Sequence, residues 1–495
     1  MNARQFRISG ACGVFSAEEI AAATCRASCQ LAAEKVDQGD VVLYQGLQGV
    51  EAFVLFWAAI MRGAIFVPLD QEWPEYLVER VVSMLKPRVV LSDLQRAGFY
   101  KRAFPNARHV SLENVSGTSG VDWKRWLAAA DASSAGPVKI GEDAPAAYLF
   151  TSGSTGMPKA VVLSRRALAR GGRLTVDCFG WDRGEVLVNA PEPHMMSGLR
   201  NAFVAAPFAG MQLHIVPAGT RPYVFELLAT LRVSRCERLV VSPNVIRQLN
   251  RLGPRVSVDT FRCMKAIYCT GARLSASDVE DFYARFRIPI VNYYGLTESG
   301  GICVAQRLTA WRPDDHSLGT AAGAELRVVD EDGRWESVGE GELFVRSPQL
   351  MSGYLGDSER SAARLVRGWL RTGDRVRIEP DGRCFLVGRI DGFMKSASAD
   401  RIAPEEIEAV LEEHGAVAEA GVLALVSERG DEQIVALVVL HAEKSVSTLD
   451  LAVFVRERLG PARMPARIQY AERLPRGKSG KLARAELRAM LRDPR

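Results

Sequence analysis

The sequence predicts an α/β protein: a large N-terminal portion of stacked α/β sheet subdomains with a small antiparallel β layer, followed by a small α+β C-terminal lid. Three observations lead there. From Ser16 to about Arg108, and again from Ala146 to Tyr293, helical patterns alternate with short β-rich runs, which is the pattern of βαβ units and a mainly parallel sheet. From Ala324 to about Leu386 the pattern changes to short strands separated by the turn dipeptides Asp332-Gly333 and Asp381-Gly382, as in an antiparallel layer. Beyond Asp391 helix and strand are mixed compactly, and 495 residues is too long a chain for one hydrophobic core.

Strands are expected first at Val41 to Tyr44, Ala64 to Val67 and Val89 to Leu91. Between the first two, Ala52 to Met61 is an apolar run of ten residues closed by Arg62. A membrane span needs about 20 such residues, so the run predicts a buried helix and no membrane span. Gly117 to Pro137, rich in Ser, Gly and Ala around an isolated helical DWKRWLAAA, predicts a surface connection. Ala146 to Phe150 and Ala160 to Leu163 read as strands, and Ser164 caps a helix expected to run through Gly172. Val186 to Asn189, Gln212 to Val216, Leu239 to Val241, Ala266 to Cys269 and Pro289 to Tyr293 continue the alternation. In the last hundred or so residues the expected order is helix Pro404 to Glu413, strands near Val417 to Val426 and Ile434 to Leu440, and helix Leu449 to Leu459.

Composition excludes several classes. With 47% hydrophobic and 24% charged residues the chain has the balance of an ordinary folded protein. Its net charge of +5 is spread along the chain without the basic stripe that nucleic-acid binding requires. Nine cysteines are scattered with no C-x-x-C pair and no histidine at zinc spacing, and the first twenty residues lack the apolar core of a signal peptide. Reduced thiols in a cytoplasmic protein are the expectation.

Four motifs carry chemistry. Leu149 to Val162, LFTSGSTGMPKAVV, gathers the hydroxyls of Thr151, Ser152, Ser154 and Thr155, the glycines Gly153 and Gly156, and Lys159 between two apolar runs. Glycines let backbone N–H groups approach an anion, hydroxyls add donors and the ammonium adds charge, so the loop suits a phosphate. Pro158 and the strand that follows separate it from the usual nucleotide P-loop, and a solvated linker has a similar composition. Asn292 to Gly301, NYYGLTESGG, runs from a strand end into a polar loop, the place where open α/β sheets bind ligands. It offers Tyr294 for stacking on a purine, Thr297 for a phosphate and Glu298 for Mg²⁺, or else simply a helix N-terminus with a solvated glutamate. Trp369 to Asp374, WLRTGD, followed by Gly388-Arg389-Ile390-Asp391, sets a carboxylate after a glycine turn, although T-G-D is also a common turn. Leu474 to Leu487, LPRGKSGKLARAEL, puts Lys481 on a basic segment that is either a mobile cation donor or an ordinary basic helix, with Lys478 as a competitor.

Together, in this order and over nearly the whole chain, these motifs resemble those of the AMP-forming adenylate superfamily, which includes acyl- and aryl-CoA ligases, luciferases and peptide-synthetase adenylation domains. Tyr268 to Leu274, YCTGARL, resembles the family's adenine-side turn, and Gly341 to Gly356 its glycine-bounded connector. Pro191 to Gly198, PEPHMMSG, resembles the segment at the acyl-pocket mouth, here with His194.

The resemblance implies a domain of residues 1–389 holding nucleotide and acid, and a mobile lid of residues 390–495 carrying the catalytic lysine, Lys481, about a hinge at Asp391. It implies that Thr151 to Gly156 and Lys159 hold the β- and γ-phosphates of ATP, that Gly271, Ala272, Tyr293, Tyr294 and Gly295 surround the adenosine, and that Asp374 fixes the ribose with Arg389 nearby. Thr297 would meet the α-phosphate, Glu298 the Mg²⁺, and Lys481 both the attacking carboxylate and the α-phosphate.

The expected acid pocket comprises His194, Met195, Met196, Ser242, Asn244, Thr270 and Ile302, whose apolar character suits an aryl or short acyl group, with Glu192 available to a substrate ammonium. The implied reaction forms an acyl-adenylate and pyrophosphate, then passes the acyl group to a thiol, CoA or phosphopantetheine. The sequence departs from the family's pattern at two places, the first costing little and the second bearing on the thiol step. Ala160 follows Lys159 where the family commonly has glycine, and Ser398 and Ala399 stand in a loop, one residue longer, where the family usually carries a glycine. A carrier protein or a nitrogen nucleophile therefore remains open as acceptor, and a non-catalytic nucleotide-binding scaffold is the remote alternative. Neither the acid nor the oligomeric state follows from the sequence.

Overall fold

The computed structural model describes residues 6–10, 13–46, 48–71, 73, 75–82, 84–112, 121–130, 138–151, 158–217, 223–390, 394–395, 401–402, 404–426, 432–477 and 480–492. Among them, two large sheets form the α/β portion. One has the spatial order Gly353–Tyr354, Lys159–Ser164, Pro145–Thr151, Ile65–Pro68, Val41–Gln45, Val89–Ser92, Arg108–Ser111 and Val121–Asp122. Val41–Gln45 is buried along its whole length between parallel neighbours, which accounts for the unbroken apolar start of VVLYQ.

The other sheet is built on the parallel strands Gln212–His214, Val186–Asn189, Arg238–Val241, Ala266–Cys269 and Ile290–Leu296. The N-terminal hairpin Arg7–Gly10 and Gly13–Ser16 extends its edge by pairing with Gln212–His214.

Aromatic side chains fill the space between the sheets. The helix Val50–Arg62 presents Phe53 and Phe56 to Phe203, with ring centroids 5.5 and 5.7 Å apart, and the Trp57 indole N–H donates to the Phe203 carbonyl at 3.0 Å. Phe203 lies in a fully buried π-helical stretch, Leu199–Ala205, a widened turn of the kind that often borders functional sites. Truncating this ring leaves a cavity that rigid neighbours cannot close. Phe203→Ala is expected to lower stability by about 3–5 kcal/mol, read from the denaturant midpoint of the large domain.

Three expectations are corrected. The helix predicted to end at Gly172 runs Arg165–Phe179, because Gly171 and Gly172 are packing positions: a Cβ on Gly172 would lie 2.5 Å from a Val204 methyl. The helix expected within Gly117 to Pro137 is Trp123–Ala128, capped by Asp122, but it is no mere surface element, because the stacked rings of Trp123 and Trp126, 5.5 Å apart, are buried. The strand predicted through Val216 ends at His214.

The antiparallel layer is as predicted, with Glu325–Val329, Gly339–Arg346, Trp369–Ile378 and Cys384–Arg389 in successive pairing. In the lid, Val417–Val426, Glu432–Leu440 and Arg467–Tyr470 form one sheet. Ile407, Leu411 and Leu451 pack on one face of it, and Leu474, Leu487 and Leu491 on the other. All eight described cysteines are free, and no described helix is long and apolar enough to cross a membrane.

One lid carboxylate has an unusual environment. Burial pushes Glu408 up to about 7, against the opposing charge of Arg484, while Glu405 adds to the rise. The folded lid therefore keeps a proton that the unfolded chain releases near 4.5, and stability falls as pH rises through that interval. Glu408→Gln is expected to flatten the dependence of lid unfolding on pH between about 5 and 7, as followed by melting temperature across that range.

Candidate active site

The carboxyl ends of Pro145–Thr151 in one sheet and Ile290–Leu296 in the other lead into the motif loops, the place where α/β sheets bind ligands, and Tyr354 links the two. Pro145–Thr151 leads into the hydroxyl-rich loop and Lys159–Ser164 returns from it, with Thr151 and Lys159 directly opposite in register. Ser152, Gly153, Ser154, Thr155 and Gly156 lie outside the described residues. The Lys159 ammonium stands over the Tyr354 ring at 5.7 Å, and the Tyr354 hydroxyl donates to Glu298 Oε1 at 2.9 Å. The loop lysine and the glutamate of TESGG are thus neighbours across one tyrosine, although 139 positions separate them in sequence (298 − 159). Burial, and then the charges of Arg360 and Arg364, lower the pKa of Lys159. Crowded cations of this kind favour an arriving polyanion.

The strand Ile290–Leu296 turns back into Gly301–Ala305 with Gly295 against Gly301, where a Cβ would sit 1.8 Å from the carbonyl oxygen, so this reversal needs glycine. Thr297, half-buried, and Glu298, buried, follow in the turn. The Tyr294 hydroxyl donates to Asp374 Oδ2 at 2.5 Å. Asp374 in turn faces Arg389 across paired strands, with Nη1 3.0 Å from Oδ1. Burial raises the pKa of Asp374 despite the opposing influence of Arg389, Tyr294 and Lys481, so the lid lysine lies within electrostatic reach of this carboxyl.

Lys481 is exposed, and the turn before it rests on the large domain. Gly480 has φ of +78°, and a Cβ there would lie 3.0 Å from Asn244 Cβ and 3.5 Å from Ser242 Oγ, at the start of the helix Pro243–Leu252. The Gly477 and Lys481 backbones close the turn at 2.9 Å. The turn before the lysine therefore packs against two of the acid-pocket candidates.

Other predicted residues divide. His194 Nδ1 is 3.4 Å from Glu192 Oε2 and its Nε2 is 3.8 Å from Asp70 Oδ2, so the imidazole stands between two carboxylates. Met195, Ser242, Asn244 and Thr270 are half-buried around the strand ends, Met196 is buried, and Gly271 and Ala272 are on the accessible turn after Ala266–Cys269. Ile302 is enclosed in the main core. Tyr293 corrects the expectation of an adenosine contact: strand alternation turns it inward, 3% exposed, against Phe179 and the Arg200 guanidinium. The hinge candidate Asp391 and the departures at Ser398 and Ala399 lie outside the described residues.

Sequence reasoning missed four contributors. Tyr354 lies inside the connector that was noticed, but no chemistry was assigned to it. Arg360 and Arg364 lie one helical turn apart in Ser358–Arg364 just beyond it, a spacing that places two cations on one face. Asp70 follows Ile65–Pro68, at the carboxyl end of a central strand.

The AMP-binding enzyme family matches residues 8–355, and the AMP-binding enzyme C-terminal domain matches residues 406–481. The chain is similar to the fatty acid–[acyl-carrier-protein] ligase ScoC of Streptomyces coeruleorubidus, 28% identical over 91% of this chain and 86% of that one. It is likewise similar to 4-coumarate–CoA ligase 2 of Oryza sativa subsp. japonica, 29% identical over 94% of this chain and 86% of the relative. Its fold matches ATP-bound MatB from Rhodopseudomonas palustris with a TM-score of 0.90 at 23% identity, covering 100% of this chain and 97% of that one. The matched segments include Lys159, the Glu298 turn and Lys481 alike, and the chain belongs to the AMP-binding, adenylate-forming enzymes.

Proposed function

We propose that this enzyme activates a small aryl or short-chain carboxylic acid with ATP, forming an acyl-adenylate and pyrophosphate, and then transfers the acyl group to a thiol, most simply that of CoA. The reading rests on the convergence of Lys159, Glu298, Asp374 and Lys481, from four separate motifs, upon one cleft.

In the first half-reaction the acid's carboxylate attacks the α-phosphorus and pyrophosphate leaves. Catalysis is mainly positioning and charge stabilisation. Lys159, with Arg360 and Arg364 behind it, holds the leaving phosphates, and Asp374 with Tyr294 marks the ribose end. Lys481 offsets the repulsion between the carboxylate and the α-phosphate as they close. The donor set fits Mg²⁺: Glu298 gives one oxygen to Tyr354 and keeps the other without a hydrogen bond among the described residues, beside the hydroxyl of Thr297. When bound there, the ion supplies positive charge to the phosphate oxygens.

Met195, Ser242, Asn244 and Thr270 wall the acid pocket, and His194 guards its mouth. In the second half-reaction the lid turns about Asp391 to admit the thiol. The ScoC relative supports a carrier-bound phosphopantetheine as the second acceptor to test. A panel of aryl and short-chain acids in ATP–pyrophosphate exchange tests the first step. Exchange with none of them, at saturating Mg²⁺, rules the reading out. Release of AMP from the loaded enzyme by CoA, but not by a carrier protein, then assigns the acceptor.

A further inference from the structure

Among the described residues, two ion pairs join the lid to the large domain, Arg251 to Glu419 and Arg273 to Glu412, and the first of them connects onward to the lysine turn. Glu419 projects from the lid strand Val417–Val426, with its side chain only 6% exposed. Its two oxygens serve different partners. Oε1 accepts from Arg251 of the large-domain helix Pro243–Leu252. Oε2 accepts from Arg476 of the lid at 2.9 Å from Nε and 2.7 Å from Nη2.

Arg476 has a third engagement: its Nη1 donates to the Gly480 carbonyl at 2.9 Å, next to Lys481. A chain of hydrogen bonds thus runs from the large domain through Glu419 and Arg476 to the backbone that carries the lid lysine. The same turn is pressed onto Ser242 and Asn244, at the other end of the helix that supplies Arg251.

The electrostatics make this carboxylate hard to replace. Arg247, 8% exposed, adds its charge to those of Arg251 and Arg476, and has only a weak 3.5 Å contact to Asp278, with Nε and Nη2 buried and unpaired among the described residues. Burial alone would raise the pKa of Glu419, but Arg476, Arg247 and Arg251 outweigh it and hold the group ionised. Three guanidinium groups from two domains surround this anion, with Asp278 as a further partner of Arg247, and breaking such a buried set by removing one member leaves uncompensated charge. A second contact, Arg273 to Glu412 at 3.3 Å, joins the same two domains but does not touch the lysine loop.

We propose that Glu419 is the positioning residue for Lys481, a clamp whose two carboxylate oxygens couple seating of the lid on Arg251 to presentation of the lysine turn through Arg476. The inference rests on the adenylation reading above. Without the anion, Arg247, Arg251 and Arg476 repel one another across the interface, the lid lifts and Lys481 withdraws from the cleft.

The test is pyrophosphate exchange, with an acid that the wild type uses, in a double-mutant cycle. Glu419→Gln is expected to lower exchange at least tenfold while leaving the affinity of the large domain for ATP within about twofold, and Arg251→Met is expected to lower it in the same direction. In a Lys481→Ala background, Glu419→Gln is expected to change the residual exchange less than about twofold, because the residue it positions is already gone. Losses that multiply in the double variant, or a Glu419→Gln enzyme that exchanges like wild type, overturn the clamp while leaving the adenylation reading intact. If Glu419→Gln fails to fold, the exposed Arg251→Met carries the same cycle. Absence of exchange in the wild type with every acid removes the adenylation reading and the clamp together.

Discussion

Replacing Lys481 with alanine is expected to reduce acid-dependent pyrophosphate exchange by about 10²–10³-fold while leaving the fold, and ATP binding to the large domain, close to wild type. The side chain is exposed and its backbone closes a short turn with Gly477, so its removal creates no cavity and strands no buried partner. What is lost is a cation at the point where two anions must approach. Preorganised charges of this kind contribute chiefly in the transition state, so the loss should fall on turnover rather than on ATP affinity.

A Lys481→Arg variant separates charge from reach: a guanidinium restores the sign but not the compact shape, and should recover only part of the rate. Unfolding of Lys481→Ala comparable to its loss of exchange would make the residue structural instead. The thermal melt of the lid checks this directly.

The strands and the order of the layers were legible because burial of both sheet faces writes itself into local composition, as in VVLYQ and AIYC. The turn dipeptides located the antiparallel layer for a similar reason. What local pattern could not reveal is packing that closes over long sequence distances. Gly171 and Gly172 read as a helix stop, yet they are the contact surface for Val204 and the backbone of Gly300. DWKRWLAAA read as a helix on a surface connection because its polar face is visible in sequence, whereas the burial of Trp123 and Trp126 depends on neighbours far away.

The site follows the same division. Lys159, Glu298, Asp374 and Lys481 stood out because each lies in a compact motif. Arg389 lies directly across paired strands from Asp374 through a hairpin whose Asp381-Gly382 turn was visible. Tyr294 and Tyr293 were adjacent and treated alike, and only the alternation of a strand separates the one bonded to Asp374 from the one buried beside Arg200. Tyr354, Asp70 and Glu419 carry no local signature at all. Their importance comes from what they touch: Glu298 and Lys159, His194, and a pair of arginines from two domains.

Glu298→Gln is expected to lower kcat/KM for MgATP by about 10²-fold, with a normal melting temperature. The substitution keeps the shape and leaves an amide oxygen to accept the Tyr354 hydroxyl, now held at 2.9 Å from Oε1, so the buried hydrogen bond survives. It removes the negative charge that a hard divalent ion requires. Lys159 also loses a neighbour whose charge favours its protonated form, against burial and the repulsion of Arg360 and Arg364.

Two signatures distinguish loss of the ion from loss of structure. Raising Mg²⁺ should restore part of the activity of Glu298→Gln, because weaker binding is offset by mass action, whereas a distorted turn would not respond. Tyr354→Phe leaves the carboxylate charge in place and removes only the donor, so its loss should be far smaller, with little change in the Mg²⁺ requirement. Glu298→Gln exchanging at wild-type rates at low Mg²⁺ would mean that another group holds the ion, and that this buried glutamate serves only to fix Tyr354 over the loop lysine.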